Sequence, residues 1–309
     1  MISATAADTY RRPQSLKDGD KIAIISPASY PEKSYVREAE KVLHNWGYKT
    51  VVGEHAFLHN GSYAGSPEQR ESDLLWALRD TTIKAIMCTR GGYGSVQELS
   101  RIPLDSLAKY PKWLIGYSDV TAIHSAMVCC GNMSIHAHMC EHLRDYHGLD
   151  SCSIALKGIL RGNLPKYEIA GHPYNHPGTA RGTLVGGNMS VFCGLAGSDM
   201  DFLNQKGIIL FVEDVSERIT SIDRMFHLLK VRGVLNRIKG LIIGQFTDYA
   251  PDSDYSNMYD MIYSITQKYD IPIVYNFPVG HVTLNYPMIE GANVTLTVTS
   301  QNASLSFNE

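Results

Sequence analysis

The strongest constraint on the fold lies in the first half of the chain, where short apolar runs of strand length alternate with segments of helical periodicity. KIAIIS (21–26), IKAIMC (83–88) and WLIG (113–116) are too short for core helices and read as strands buried on both faces. From Pro31 onward Val36, Ala39, Val42, Leu43 and Trp46 recur at helical spacing until Gly47 stops the pattern. A second helix opens on Ser66-Pro67-Glu68-Gln69, a capping-box sequence with proline at the first helical position, and puts Leu74, Leu75 and Leu78 on one face. Strand, helix, strand, helix implies a parallel sheet covered on both sides, so an N-terminal α/β domain is expected over residues 1–164.

The texture then changes. Residues 165–180, rich in Pro, Gly and His without clear periodicity, are expected to be a linker. Beyond it GIILFVED (207–214), GLIIGQF (240–246), IPIVYNFPVG (271–280) and ANVTLTV (292–298) are strand-like, with one helical pattern at 221–232. A second, strand-richer α+β domain over 181–309 is the simplest reading.

Composition narrows the function. With 44% hydrophobic and 19% charged residues among 309, and a formal net charge of -3, the chain reads as a soluble globular protein without an electrostatic case for nucleic acid or an anionic membrane. The expected partner is a small molecule or another protein chain. MISATAADTYRRPQSLKDGD lacks the features of a secretory signal and is read as a frayed cytosolic lead-in. Six cysteines without C-x-x-C spacing suit a reducing, cytoplasmic compartment.

In open α/β sheets ligands gather beyond the carboxyl ends of strands, and two glycine-containing turns fall there: Arg90-Gly91-Gly92-Tyr93-Gly94 and Gly116-Tyr117-Ser118-Asp119. The second can form a nucleophile elbow, with Ser118 projecting and the next backbone N–H aimed at an oxyanion; Ser118 or Asp119 as a helix cap is the alternative. RGGYG can be a tight turn, the second wall of that oxyanion hole, or a phosphate cradle in a nucleotide-binding module. A serine nucleophile needs a base and an orienting acid, and His281 (PVGHV) and Glu213 (LFVED) are candidates at what read as strand ends. A competing cluster, His136, His138 and His142 with Cys140, offers zinc ligands and a metal-dependent hydrolase, without the H-E-x-x-H spacing.

Taken in order, RGGYG (90–94), PKWLIGYSDVTAIHSAM (111–127), GGNMSVFCGLAGSDMDF (186–202), FVEDVSERITSIDRMFHLL (211–229) and VGHVTLNYPMIEGANVTL (279–296) resemble the successive signatures of the LD-carboxypeptidases, serine peptidases that recycle cell-wall muropeptides. The resemblance implies Ser118 as nucleophile, Glu213 as acid and His281 as base, with backbone N–H groups of Asp119 and Gly92 forming the oxyanion hole. It further implies a flavodoxin-like N-terminal domain, a β-rich swivelling C-terminal domain, a homodimer, and no metal or other cofactor. The expected substrate is a murein tetrapeptide that loses its terminal D-alanine. Arg90, Arg181 and Arg224 are candidates for binding its carboxylates, because bidentate guanidinium pairing suits them, and Asn188 for binding its peptide, with solvated surface arginines and a helix-capping asparagine as the alternatives. One departure stands out: where the family commonly has His-Gly-Pro-Met, this chain has His136-Ala137-His138-Met139. A microcin C immunity-type hydrolase of aminoacyl-nucleotide amides would share the scaffold and triad. The 213–281 interval carries no tryptophan for a base-stacking platform.

Overall fold

A computed structural model describes residues 10–250 and 252–308. Two sheets organise it. The first contains β1 (Lys21–Ile25), β2 (Lys49–Val52), β3 (Ile83–Cys88), β4 (Trp113–Gly116) and β5 (Ser134–His136); the second begins with β6 (Lys166–Ala170), β7 (Gly178–Asn188), β8 (Ile208–Val215), β9 (Gly240–Thr247) and β10 (Ile273–Val274). Of the last three strands, β11 (Met288–Glu290) returns to the first sheet, while β12 (Asn293–Val298) and β13 (Asn302–Phe307) join the second.

In the first sheet the order is β2-β1-β3-β4-β5-β11, parallel until β11 closes the edge antiparallel to β5. The first five strands have the flavodoxin-like order, whose ligand crevice lies beyond the carboxyl ends near β1 and β3. Helices Lys33–Asn45 and Pro67–Arg79 occupy the expected positions, the latter opened by a capping box in which Ser66 Oγ accepts from Gln69 N. The second sheet runs β10-β9-β8-β7-β12-β13-β6, parallel through its first four strands and antiparallel thereafter. The alternating burial of β12 and β13 matches the half-buried pattern of their sequences.

Three expectations need correction. The 165–180 linker contains a strand, because KYEIA alternates exposed and buried residues and Tyr167 is buried in the core; β6 pairs with β13. IPIVYNFPVG supplies only the two-residue β10, since Asn276 adopts a left-handed φ of 60° and Pro278 follows, so the chain leaves the sheet early. His281 therefore lies in a loop rather than at a strand end. The frayed lead-in lies partly outside the described residues, but from residue 10 onward it is pinned: Arg11 N donates to Gly131 O at 2.8 Å, Leu16 N donates to Leu160 O at 2.7 Å, and Leu16 is buried. The helix Met258–Thr266 went unanticipated in the sequence. Among the described residues no helix is long and apolar enough to cross a membrane.

Candidate active site

The chain turns sharply after β4. Ser118 has φ 65°, in the left-handed region that a non-glycine residue rarely occupies, and opens the 3-10 turn Ser118–Val120 that leads into helix Thr121–Cys129. Such strain raises the hydroxyl out of the turn, as a nucleophile elbow requires. Ser118 makes no side-chain cap; its Oγ lies 2.9 Å from His281 Nε2 instead. His281 Nδ1 in turn lies 2.8 Å from Glu213 Oε2. Burial pushes the imidazole down, but the charge and hydrogen bond of Glu213, aided by Asp214 and Asp248, outweigh it and hold the His281 pKa above the ordinary 6.5. Glu213 sits fully buried in β8, opposite Asn188 in register.

The glycine turn after β3 completes this wall. A Cβ on Gly91 would come within 2.8 Å of Ser118 Cβ and 2.9 Å of its Oγ, so only glycine lets the two turns approach this closely. Asp119, in sequence a possible cap of the helix that follows it, instead joins them: its Oδ2 accepts from Ser95 N at 2.8 Å, at the start of helix Ser95–Leu99. A protein carboxylate thus occupies the helix N-terminus that a phosphate cradle would leave open. From the other side Arg70, fully buried and paired with Glu98 at 3.0 Å, donates to the Gly65 carbonyl and reaches the Gly94 carbonyl. The backbone N–H groups of Asp119 and Gly92 have no acceptor among the described residues.

The expected binding residues divide. Arg90 flanks the glycine turn, and its Nε is buried without an acceptor among the described residues. Asn188 is committed elsewhere: its Oδ1 accepts from Val191 N at 3.2 Å as a helix cap, and its Nδ2 donates to Asp214 Oδ1 at 2.9 Å. Its GGN sequence serves packing, since Gly187, at φ 117°, brings β7 against Thr121, whose hydroxyl accepts from Asn188 N at 3.0 Å. Arg181 lies on β7 seven residues before Asn188, about 23 Å away at roughly 3.3 Å per residue, too far to reach the triad. Arg224 is exposed on helix Ile219–Val231, with no contact that ties it to the triad.

The histidine cluster does not converge. His136 is fully buried with its ring edge-on to Phe211, whereas His138 and His142 stack face to face. Among the described residues no three His, Cys, Asp or Glu side chains are grouped to hold a metal ion.

Two supporting residues escaped the sequence. Asp214 accepts from Ser190 N, Val215 N and Asn188 Nδ2, and burial followed by repulsion from Glu213 lifts its pKa to about 6. Asn285, fully buried, accepts from Gly280 N at 2.9 Å and so braces the residue before His281. Neither had a local signal, because each partner is set by chain reversal.

A strained serine at the carboxyl end of a parallel sheet, hydrogen-bonded through a histidine to a buried carboxylate, has the geometry that serine hydrolases use. The chain belongs to the LD-carboxypeptidase family: sequence profiles of that family's N-terminal and C-terminal domains match residues 22–137 and 181–296. A Synechocystis protein provisionally named a carboxypeptidase is 31% identical over 93% of this chain and 94% of its own length. The murein tetrapeptide carboxypeptidase of Pseudomonas aeruginosa is 28% identical over 86% of this chain and 89% of its own. The crystal structure of muramoyltetrapeptide carboxypeptidase from Oxalobacter formigenes superposes with a TM-score of 0.86 at 25% identity, covering 94% of this chain and 99% of that one. The Escherichia coli microcin C7 self-immunity protein is also similar, at 24% identity over 94% of both chains.

Proposed function

We propose that this protein is a serine-type LD-carboxypeptidase that releases the terminal D-alanine of a murein tetrapeptide. The observation that carries this reading is the continuous contact chain Ser118 Oγ, His281 Nε2, His281 Nδ1, Glu213 Oε2, at 2.9 and 2.8 Å. Glu213 accepts from Nδ1–H, which leaves Nε2 free to take the Ser118 proton as the hydroxyl attacks the carbonyl of the L-diamino acid. The oxyanion that forms is met by the N–H groups of Asp119 and Gly92, above the positive end of the Thr121–Cys129 helix. His281 then returns the proton to the departing D-alanine amine, and water resolves the acyl-enzyme by the same route. Arg90 is the cation we assign to the terminal carboxylate, because it precedes Gly91, which packs on Ser118, and pairs with no carboxylate among the described residues.

The test is incubation with L-Ala-γ-D-Glu-meso-diaminopimelate-D-Ala, with and without chelator. D-alanine release is expected to survive the chelator and to fall by about 10⁴-fold or more in Ser118→Ala. Full activity in that variant sinks the serine mechanism. Cleavage of an aminoacyl-sulfamoyl adenosine in preference to the tetrapeptide would move the substrate assignment to the immunity-type reaction while leaving the triad intact.

A further inference from the structure

His138, His142 and Tyr146 play no part in the chemistry above, yet they form a continuous aromatic stack. The His138 and His142 rings lie 3.3 Å apart at 5°, and the His142 and Tyr146 rings 4.2 Å apart at 21°. At the middle of the stack His142 Nε2 approaches Asp150 Oδ2 to 3.3 Å without hydrogen-bond geometry. Asp150 is itself held as the cap of helix Ser151–Leu160, accepting from Cys152 N and Ser153 N. At both ends the stack reaches one residue of the opposite half of the chain: His138 Nε2 lies 3.1 Å from the Thr283 carbonyl, and Tyr146 Oη donates to Thr283 Oγ1 at 3.4 Å.

A carbonyl only accepts, so His138 must carry its proton on Nε2, which leaves Nδ1 the acceptor of a neutral ring, buried without a partner among the described residues. Burial, followed by the neighbouring His142, lowers the His138 pKa to about 3, which keeps that tautomer neutral. Thr283 stands two residues beyond His281. On the near side Gly280 N is held by Asn285, and Val282 N closes a tight turn onto Gly280 O at 2.9 Å. His281 is therefore suspended between two anchors, one from its own loop and one from the N-terminal half. A proline at position 138 would have no donor to offer.

We propose that His138, His142 and Tyr146 form a latch that positions the His281 loop against Ser118, with His138 as the positioning residue that supplies the principal bond. The inference rests on the reading of His281 as the base for Ser118. It is tested on the full chain with an alkyl fluorophosphonate, which loses fluoride as Ser118 Oγ forms an ester to phosphorus and needs no knowledge of the peptide substrate. His138→Phe, which keeps a ring in the stack but removes the donor, is expected to lower the maximal labelling rate about tenfold without weakening probe binding. His138→Gln, which restores a donor, is expected to recover most of that rate.

Hydrogen exchange of amides 280–285 supplies the second readout, with Tyr146→Ala as the second variant, since Tyr146 is exposed and lies outside the hydrophobic core. Both His138→Phe and Tyr146→Ala are expected to speed exchange in that loop. Unchanged labelling and exchange in His138→Phe would overturn the latch. Absence of labelling in the unsubstituted chain would count against the serine mechanism, and exchange alone would then decide the latch, equal protection in both variants overturning it.

Discussion

At the scale of single residues the decisive feature is how environment assigns work to ordinary side chains. Glu213, fully buried, gives one oxygen to His281 while the other has no partner among the described residues. The sign of the pH dependence follows. On the proposed mechanism His281 must be neutral to accept a proton, so activity is expected to rise with pH through its pKa, which lies above 6.5. Glu213→Gln removes the charge that raises this value; the acid limb of the kcat/KM profile is expected to move to lower pH, with kcat reduced by about 10⁴-fold. A limb that stays in place, measured across pH 5 to about 8, would show that Glu213 does not set the titration. Ser118, His281 and Glu213 were each legible as candidates by residue type and apolar context. Asn188 stayed open between two readings because a capping asparagine and a substrate-binding one look alike in sequence, and its bonds to Val191 N and Asp214 show the cap.

At the scale of elements the site is a set of turns pressed together. The turns after β3 and β4 touch through Gly91 and Ser118 and are tied by Asp119 to Ser95 N. Gly91→Ala would drive a methyl group to within 3 Å of the nucleophile's Cβ and Oγ, so one of the two turns must move. The expected outcome is a loss of stability of about 1–3 kcal/mol, read by denaturant unfolding, together with a fall in turnover of about 100-fold. Retained activity would mean the two turns are not held in mutual register. Strands β3 and β4 were readable to the residue because their apolar runs end abruptly at polar turns. Strand β6 was not, because its alternation is only five residues long and is embedded among Pro, Gly and His.

At the scale of the molecule the two halves of the chain are not independent. β11, from the C-terminal half, closes the edge of the first sheet, and one hydrophobic core runs from Ile22 and Trp113 through Phe211 and Val274 to Leu305. Burial shared in this way couples the halves, so calorimetry is expected to show one cooperative unfolding transition. Two resolved transitions, one assignable to residues 1–164, would contradict that coupling. The sequence by itself determined strands β1, β3 and β4, the capping-box helix start at Pro67 and the three residue types a serine mechanism needs, because those depend on local periodicity, capping and turn chemistry; β2 and β5, at four and three residues, went unread. Only the tertiary structure decided that Ser118 of the first sheet meets Glu213 of the second and His281 of a loop, that Arg181 lies far from them, and that His138 grips Thr283. Those are contacts across scores of residues, fixed by which faces pack together, and no local pattern encodes them.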